Sequence, residues 1–342
     1  MNFLVPDEPE IVNAIYSLGC DIFCFMDARK FLMDYSERKS ICNRLISYLV
    51  CLRVVPNQRQ KWGLYLHKNA SNYSGHIKHY FSKNPTDPFL ILPERSASLM
   101  NNDFKRTISW FKTIATEFGV DLSSIGDPLL RISRIYSVLT MEWNDFRYSQ
   151  GYDRYGCLFL AYTLAYCQQS GLGADFAESM TYYLTRSILS IVPMATMLDN
   201  HQAVAKHFNE LENVLMNYNY GVYKAIKQNG SQLLFFGVRW ELLLYADEHD
   251  GFDILSLWDY LIGQIENYED AIKALTIAHI TQVPLKDTTK NINETILHFK
   301  SWDIKRIIDD ATNILKHKKG LIQELFTMCC PIFPSIHGYQ IN

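Results

Sequence analysis

Two polar side chains lie where their neighbours would hold them, and their chemistry is complementary. Arg106 lies in "SLMNNDFKRTISWFKTIATEFG", where Phe104, Ile108, Phe111, Ala115 and Phe118 recur at helical spacing. Asn101 or Asn102 is placed to cap that helix. Two residues past Phe104 is a turn of about 200°, so Arg106 should point away from the apolar stripe, near the helix start. Asp103, three residues earlier, is within reach to restrain its guanidinium. Gln150 lies in "RYSQGY", between the apolar segments "LLRISRIYSVLTMEW" and "GCLFLAYTLAYC". A guanidinium can neutralise anionic charge, and a side-chain amide both donates and accepts, which suits holding a water. The bland readings stand beside these. Arg106 taken alone reads first as a solvated helix charge, since exposed arginine is common and an Asp-x-x-Arg match is expected about once by chance in such a chain. Gln150-Gly151 taken alone is equally a simple loop.

The elements that must position these residues read as helices almost throughout. Asp127-Pro128 is a cap and first-turn pair, followed by Ile132, Ile135, Tyr136, Leu139 and Trp143 on one face. Ile304, Ile307, Ile308, Ala311, Ile314 and Leu315 make another stripe, expected to end at Lys316–Lys319 and Gly320. Asp253 is placed to cap "ILSLWDYLIGQIENY", and "VAKHFNELENVLMNY" fills the middle. No run alternates with period two, so the class is all-α, with about fifteen helices. "SKNPTDPF" and "ILPERSASLMNND" should be irregular, and "IVPMATMLDN" is a plausible joint between two helical lobes.

Composition excludes several classes. The 342 residues are 48% hydrophobic and 13% aromatic, enough for a large core, and the net charge of −3 is spread without a polybasic footprint, so no nucleic-acid partner is expected. The longest apolar run, Cys157 to Cys167, is too short to span a bilayer and reads as a buried helix. "MNFLVPDEPEI" lacks a secretory signal and "GYQIN" lacks a prenylation box, so a cytoplasmic protein is expected, and the four Asn-X-Ser/Thr sequons carry little weight. The eight cysteines (Cys20, Cys24, Cys42, Cys51, Cys157, Cys167, Cys329, Cys330) lack paired zinc spacing and read as reduced thiols. His76 and His79 read as a surface pair, and no metal site is expected. Nucleophile-elbow, P-loop and dinucleotide fingerprints are absent.

Met100-x-x-Asp103-x-x-Arg106-Thr107 followed by Tyr148-Ser149-Gln150-Gly151 resembles the paired fingerprints of the TBC domain, the module that activates Rab GTPases. Arg59 and Trp62 resemble the segment that opens that domain; Arg239 and Trp240 resemble its Phe-x-x-Arg-Trp helix, and Trp258 and Asp259 its Leu-Trp-Asp helix. These six are expected to be structural, the three tryptophans in the core and Arg239 and Asp259 joining helices. The sequence departs from the pattern at Met100, in "RTISWF", which lacks a Phe-Pro, and at Tyr152, where methionine is usual.

The resemblance implies a two-lobed helical domain over residues 39–290, its N-terminal lobe reaching to about 195, with a helical extension at 1–38 and closing helices at 291–342. It implies a GTPase-activating protein, not itself an enzyme, that supplies Arg106 and Gln150 in trans, with Asp103, Tyr148 and Gly151 in support. Gly151 would let the backbone approach the nucleotide. The cofactors, GTP and Mg²⁺, would belong to a GTP-bound Rab-family partner, reached at endomembranes without an integral membrane segment of this chain. The rival readings are a non-catalytic TBC-like adaptor and an unrelated all-helical scaffold.

Overall fold

A computed structural model describes residues 3–36, 39–286 and 291–329, with side-chain burial defined as far as residue 316. Cys330, the closing "GYQIN" and the boundaries expected at 38 and 290 fall outside the described residues, as does the side chain of Cys329. Among the described residues the chain forms sixteen α-helices and four short 3-10 turns, with no strand. None of these helices is long and apolar enough to cross a membrane.

The first half comprises α1 (Glu8–Ser17), α2 (Phe25–Met33), α3 (Ile41–Cys51), α4 (Trp62–Phe81), α5 (Glu94–Glu117), α6 (Pro128–Glu142), α7 (Asp153–Ser170) and α8 (Ala174–Leu189). Local chemistry starts several of them. Asp7 and Glu10 form a reciprocal capping box on α1, and the Asp127 carboxylate accepts from the Leu129 amide at the start of α6. The apolar run beginning at Cys157 is α7, buried on every side from Tyr155 to Cys167 and packed against α3, α5, α6 and α8. A helix apolar all round belongs in the middle of a core.

The second half comprises α9 (Pro193–Met197), α10 (His201–Tyr218), α11 (Tyr220–Gln228), α12 (Leu234–Leu242), α13 (Gly251–Gly263), α14 (Tyr268–Gln282), α15 (Ile292–Leu297) and α16 (Ile304–Cys329). The short α9 falls inside "IVPMATMLDN" and connects the halves. α13 packs against α2 and α3 of the first half as well as α14 and α16 of its own. Asp259 fixes that contact. It is 2% exposed and accepts from Arg44 at 3.1 Å, Lys39 at 3.0 Å and the Tyr48 hydroxyl at 2.7 Å. A buried carboxylate needs this full set of donors to be tolerated.

Three helix ends differ from expectation. α5 begins at Glu94, not Asn101 or Asn102, so "ERSASLMNND" is helical and Arg106 sits in mid-helix. Met100, fully buried, extends the stripe one turn earlier, and nothing after Pro93 breaks the helix. Asp253 does not cap α13; it lies inside the first turn, and the carboxylate of Glu117 on α5 accepts from the amides of Gly251 and Phe252 instead. α16 runs through Gly320 to Cys329, because one glycine costs a helix only about 1 kcal/mol and "LIQELFTMC" favours helix after it.

Candidate functional site

The loop of residues 143–152 between α6 and α7 is held by its rings. Phe146 and Tyr152 are buried and Tyr148 is half-buried; all three pack against Tyr136 of α6 or against one another, and Tyr148 also meets Phe104 of α5. The Tyr136 hydroxyl donates to the Tyr152 carbonyl and accepts from the Gly156 amide at 3.1 Å. With the aromatic side chains turned inward, Gln150 is left exposed on a rigid loop.

Asp103 ties this loop to α5. Its carboxylate is 3% exposed. One oxygen pairs with the Arg106 guanidinium, and the other accepts from the Tyr148 hydroxyl at 3.0 Å and the Gly151 amide at 3.1 Å. A fully satisfied buried carboxylate of this kind fixes the groups around it. Burial, with the Asp103 and Asp153 carboxylates nearby, pushes the Tyr148 hydroxyl well above its ordinary range, so it stays a donor. The Arg106 side chain itself is 63% exposed, off the apolar stripe as its spacing predicts.

Arg106 and Gln150 line one cleft of about 420 Å³, together with Asp103, Gly151, Arg154 and Arg239. Gly151 has φ +92, and an added Cβ would lie 2.7 Å from a methyl of Leu243. The glycine is thus required by the turn and by the opposite wall. Arg239 differs from its expected place. It pairs with the buried Glu248 but remains 43% exposed on the cleft, so it does not serve as a buried joint between helices. Its neighbour Trp240 is core, as are Trp62, whose indole donates to the Pro56 carbonyl at 2.7 Å, and Trp258, which donates to the Leu244 carbonyl at 3.0 Å. Asp259 lies at the joint of α3 and α13 described above, and Arg59 donates to the carbonyls of Cys20 and Ile22 while stacking on Tyr16 and Phe23. His76 reaches Glu142 at 3.0 Å and His79 meets the Tyr80 ring; both stand apart from the cleft.

Sequence reasoning missed Asp153, Arg154, Trp110 and Asp247. Asp153 is 1% exposed, accepts from Thr107, and its acidity is weakened first by burial. Arg154 stacks 4.4 Å over Trp110 and donates from Nε to Asp247 at 2.8 Å. Trp110 lies four residues beyond Arg106 on α5, a helical spacing that could have signalled it, whereas Arg154 opens α7 beyond the loop that carries Gln150 and has no such periodic link. No local signal marks Asp247.

The wider comparisons agree with the architecture. No curated protein sequence is similar enough to match. Among solved structures, the crystal structure of the Ypt/Rab-GAP domain of Gyp1p aligns with a TM-score of 0.64 at 13% identity, covering 92% of this chain and 99% of that one. At that identity the likeness is one of fold. The family model for the Rab-GTPase-TBC domain matches residues 58–283, from just before Arg59 to the end of α14. That span holds both walls of the cleft, and the chain belongs to the Rab-GTPase-TBC domain family.

Proposed function

We propose that this protein is a GTPase-activating protein for a Rab-family small GTPase, with Arg106 and Gln150 entering the partner's nucleotide site. The observation that carries the reading is their presence on one open cleft, coupled through the buried Asp103. GTP hydrolysis is limited by charge on the transferred phosphoryl group and by the orientation of the attacking water. Arg106, aligned by Asp103, supplies the guanidinium that offsets that charge. Gln150 supplies an amide that both accepts from and donates to the water, in place of the partner's own glutamine. The bond broken and the Mg²⁺ belong to the partner, so this chain contributes side chains in trans. The domain takes in residues 39–290, with an N-terminal lobe to about 195, and membrane recruitment follows the GTPase. Fixed geometry matters, because a group aligned in advance pays no reorganisation in the transition state.

The test is single-turnover hydrolysis across a panel of purified GTP-loaded Rabs, including forms whose catalytic glutamine is replaced by leucine. Stimulation of at least one Rab, retained on its leucine form and lost with Gln150→Ala, is the expected result. An inert leucine form together with a fully active Gln150→Ala would return the glutamine to the partner. Binding without stimulation of any Rab would make the protein an adaptor.

A further inference from the structure

The turn between α1 and α2 runs alongside the start of α3 and brings two cysteines together. The Asp21 amide donates to the Asn43 side chain at 2.9 Å, which sets Cys20 beside Cys42, close enough for the two thiols to hydrogen-bond. Cys42 Sγ lies 3.9 Å from the Ile15 carbonyl oxygen, and Cys20 Sγ lies 3.8 Å from that of Ile22. The Ile22 carbonyl also accepts from Arg59 Nη1 at 3.1 Å, and the Cys20 carbonyl accepts from Nη2 at 3.0 Å, so a guanidinium stands against the same turn. A cation beside a thiol favours the thiolate. The pKa of Cys20 falls to about 7, first through its hydrogen bond with Cys42 and then, against burial, through Ile22 and Arg59, with Asp21 opposing. Cys42 moves the other way, raised by Cys20 and then by burial, so it keeps its proton. Three other cysteines differ: burial raises Cys51 to about 12 and holds Cys157 and Cys167 as neutral thiols. Cys20 retains 6% exposure between the exposed Gly19 and Asp21, whereas Cys42 retains 1%. An oxidant little larger than water therefore meets Cys20 first.

We propose that Cys20 and Cys42 form a peroxide-sensitive thiol pair, in which Cys20 is oxidised and Cys42 resolves it into a disulfide. The oxidant is a hydroperoxide, hydrogen peroxide in the simplest case. The Cys20 thiolate attacks one peroxide oxygen, the O–O bond breaks, and hydroxide leaves with the bond's electron pair. Cys42 then attacks the sulfur of the Cys20 sulfenic acid. The S–O bond breaks, and the departing hydroxide takes the Cys42 proton and leaves as water. Over both steps the two thiols give up two electrons and two protons, and hydrogen peroxide becomes two waters. The new bond ties the α1–α2 turn to α3 and closes a loop that contains α2. Such a closure stabilises a fold mainly by restricting its unfolded chain. None of the residues lining the cleft of Arg106 and Gln150 belongs to this region, so the pair does not depend on the GTPase-activating reading.

The experiment treats the reduced whole chain with hydrogen peroxide, in parallel with Cys42→Ser and Cys20→Ser, and maps the cysteines by mass spectrometry. The expected product is one intramolecular disulfide joining Cys20 to Cys42, reversed by dithiothreitol, with a melting temperature about 5 °C above that of the reduced form. Dimedone, which captures sulfenic acid, should label Cys20 in Cys42→Ser and leave Cys42 unlabelled in Cys20→Ser. The rate of Cys20 oxidation should climb through about pH 7, while Cys51, Cys157 and Cys167 stay as thiols. Mapping of the unsubstituted chain requires neither variant to fold. Peroxide that leaves Cys20 and Cys42 as thiols, that carries Cys20 to sulfinic acid with Cys42 untouched, or that links either residue to another cysteine would overturn the pair.

Discussion

Arg106 owes its direction to helical arithmetic and its steadiness to a buried partner. Its side chain is 63% exposed while Asp103 beneath it is 3% exposed, so removing the guanidinium uncovers no core. An arginine supplied in trans contributes on the order of 10³–10⁵ in rate, roughly 4–7 kcal/mol. Arg106→Ala is expected to lose stimulation by that factor while its helical circular dichroism stays at the parent value and its melting temperature falls only modestly, because Asp103 loses one partner but keeps Tyr148 and Gly151. Arg106→Lys should fail nearly as badly, because an ammonium does not reproduce the planar fork that both pairs with Asp103 and spreads charge. Single-turnover rates alongside a thermal melt check both variants, and substantial activity in either would remove Arg106 from the chemistry. The sequence made this residue legible through its spacing from Phe104, but Asp103 was legible only as a neighbour one helical turn away. Its second oxygen, bound to Tyr148 and Gly151, could not be read locally.

The loop between α6 and α7 acts as an element in its own right, pinned by its aromatic rings and by one glycine. Gly151 is in left-handed backbone, faces Leu243 across the cleft, and donates its amide to Asp103. Gly151→Ala should cost about 1–2 kcal/mol in stability through the positive φ. Stimulation should fall further than stability does, by about tenfold or more, since the neighbouring Gln150 would lose its position. Denaturant midpoints compared with rates at full folding separate the two effects, and equal activity in the alanine variant would show that the loop tolerates displacement. The helices on either side were plain from Asp127 and from the apolar run starting at Cys157. The start of α5 was not, because burial of Met100 decided it and local capping signals at Asn101 and Asn102 lost.

At the scale of the whole molecule, the second half encloses buried polar groups whose protonation is fixed by packing. His249 and His279 meet Nε2 to Nε2 at 3.0 Å, inside a wall that includes Tyr245 and Trp302. His279 Nδ1 donates to the Leu275 carbonyl at 2.8 Å, so its Nε2 accepts and His249 donates. Burial drives their pKa values down, to about 2 for His249, with the neighbouring His279 adding to the shift, and to about 3 for His279. Unfolded histidines take up protons below about pH 6.5, whereas these do not while the chain is folded. Their contribution to stability is therefore present above that value and lost as the pH falls, by about 1.4 kcal/mol per pH unit for each. The raised carboxyl groups of Asp153 and Glu117 act with the opposite sign. The midpoint of urea unfolding should fall from pH 7.5 to 5.5, less steeply in His249→Asn/His279→Asn, and a flat profile in the parent would contradict the burial of this pair.

Local pattern determined the helical class, the Asp127 cap, the outward direction of Arg106 and the two short motifs that pair it with Gln150. Those features depend on rules that reach three or four residues along a helix. Tertiary structure decided where α5 begins, that Glu117 caps α13, that Arg239 faces the cleft, and that Arg154 pairs with Asp247. Each of those outcomes joins side chains from segments far apart in the sequence, as Asp103 meets Gly151 across 48 positions. The free energy of burying and pairing such groups depends on which helices meet, and no periodicity within either helix carries that information.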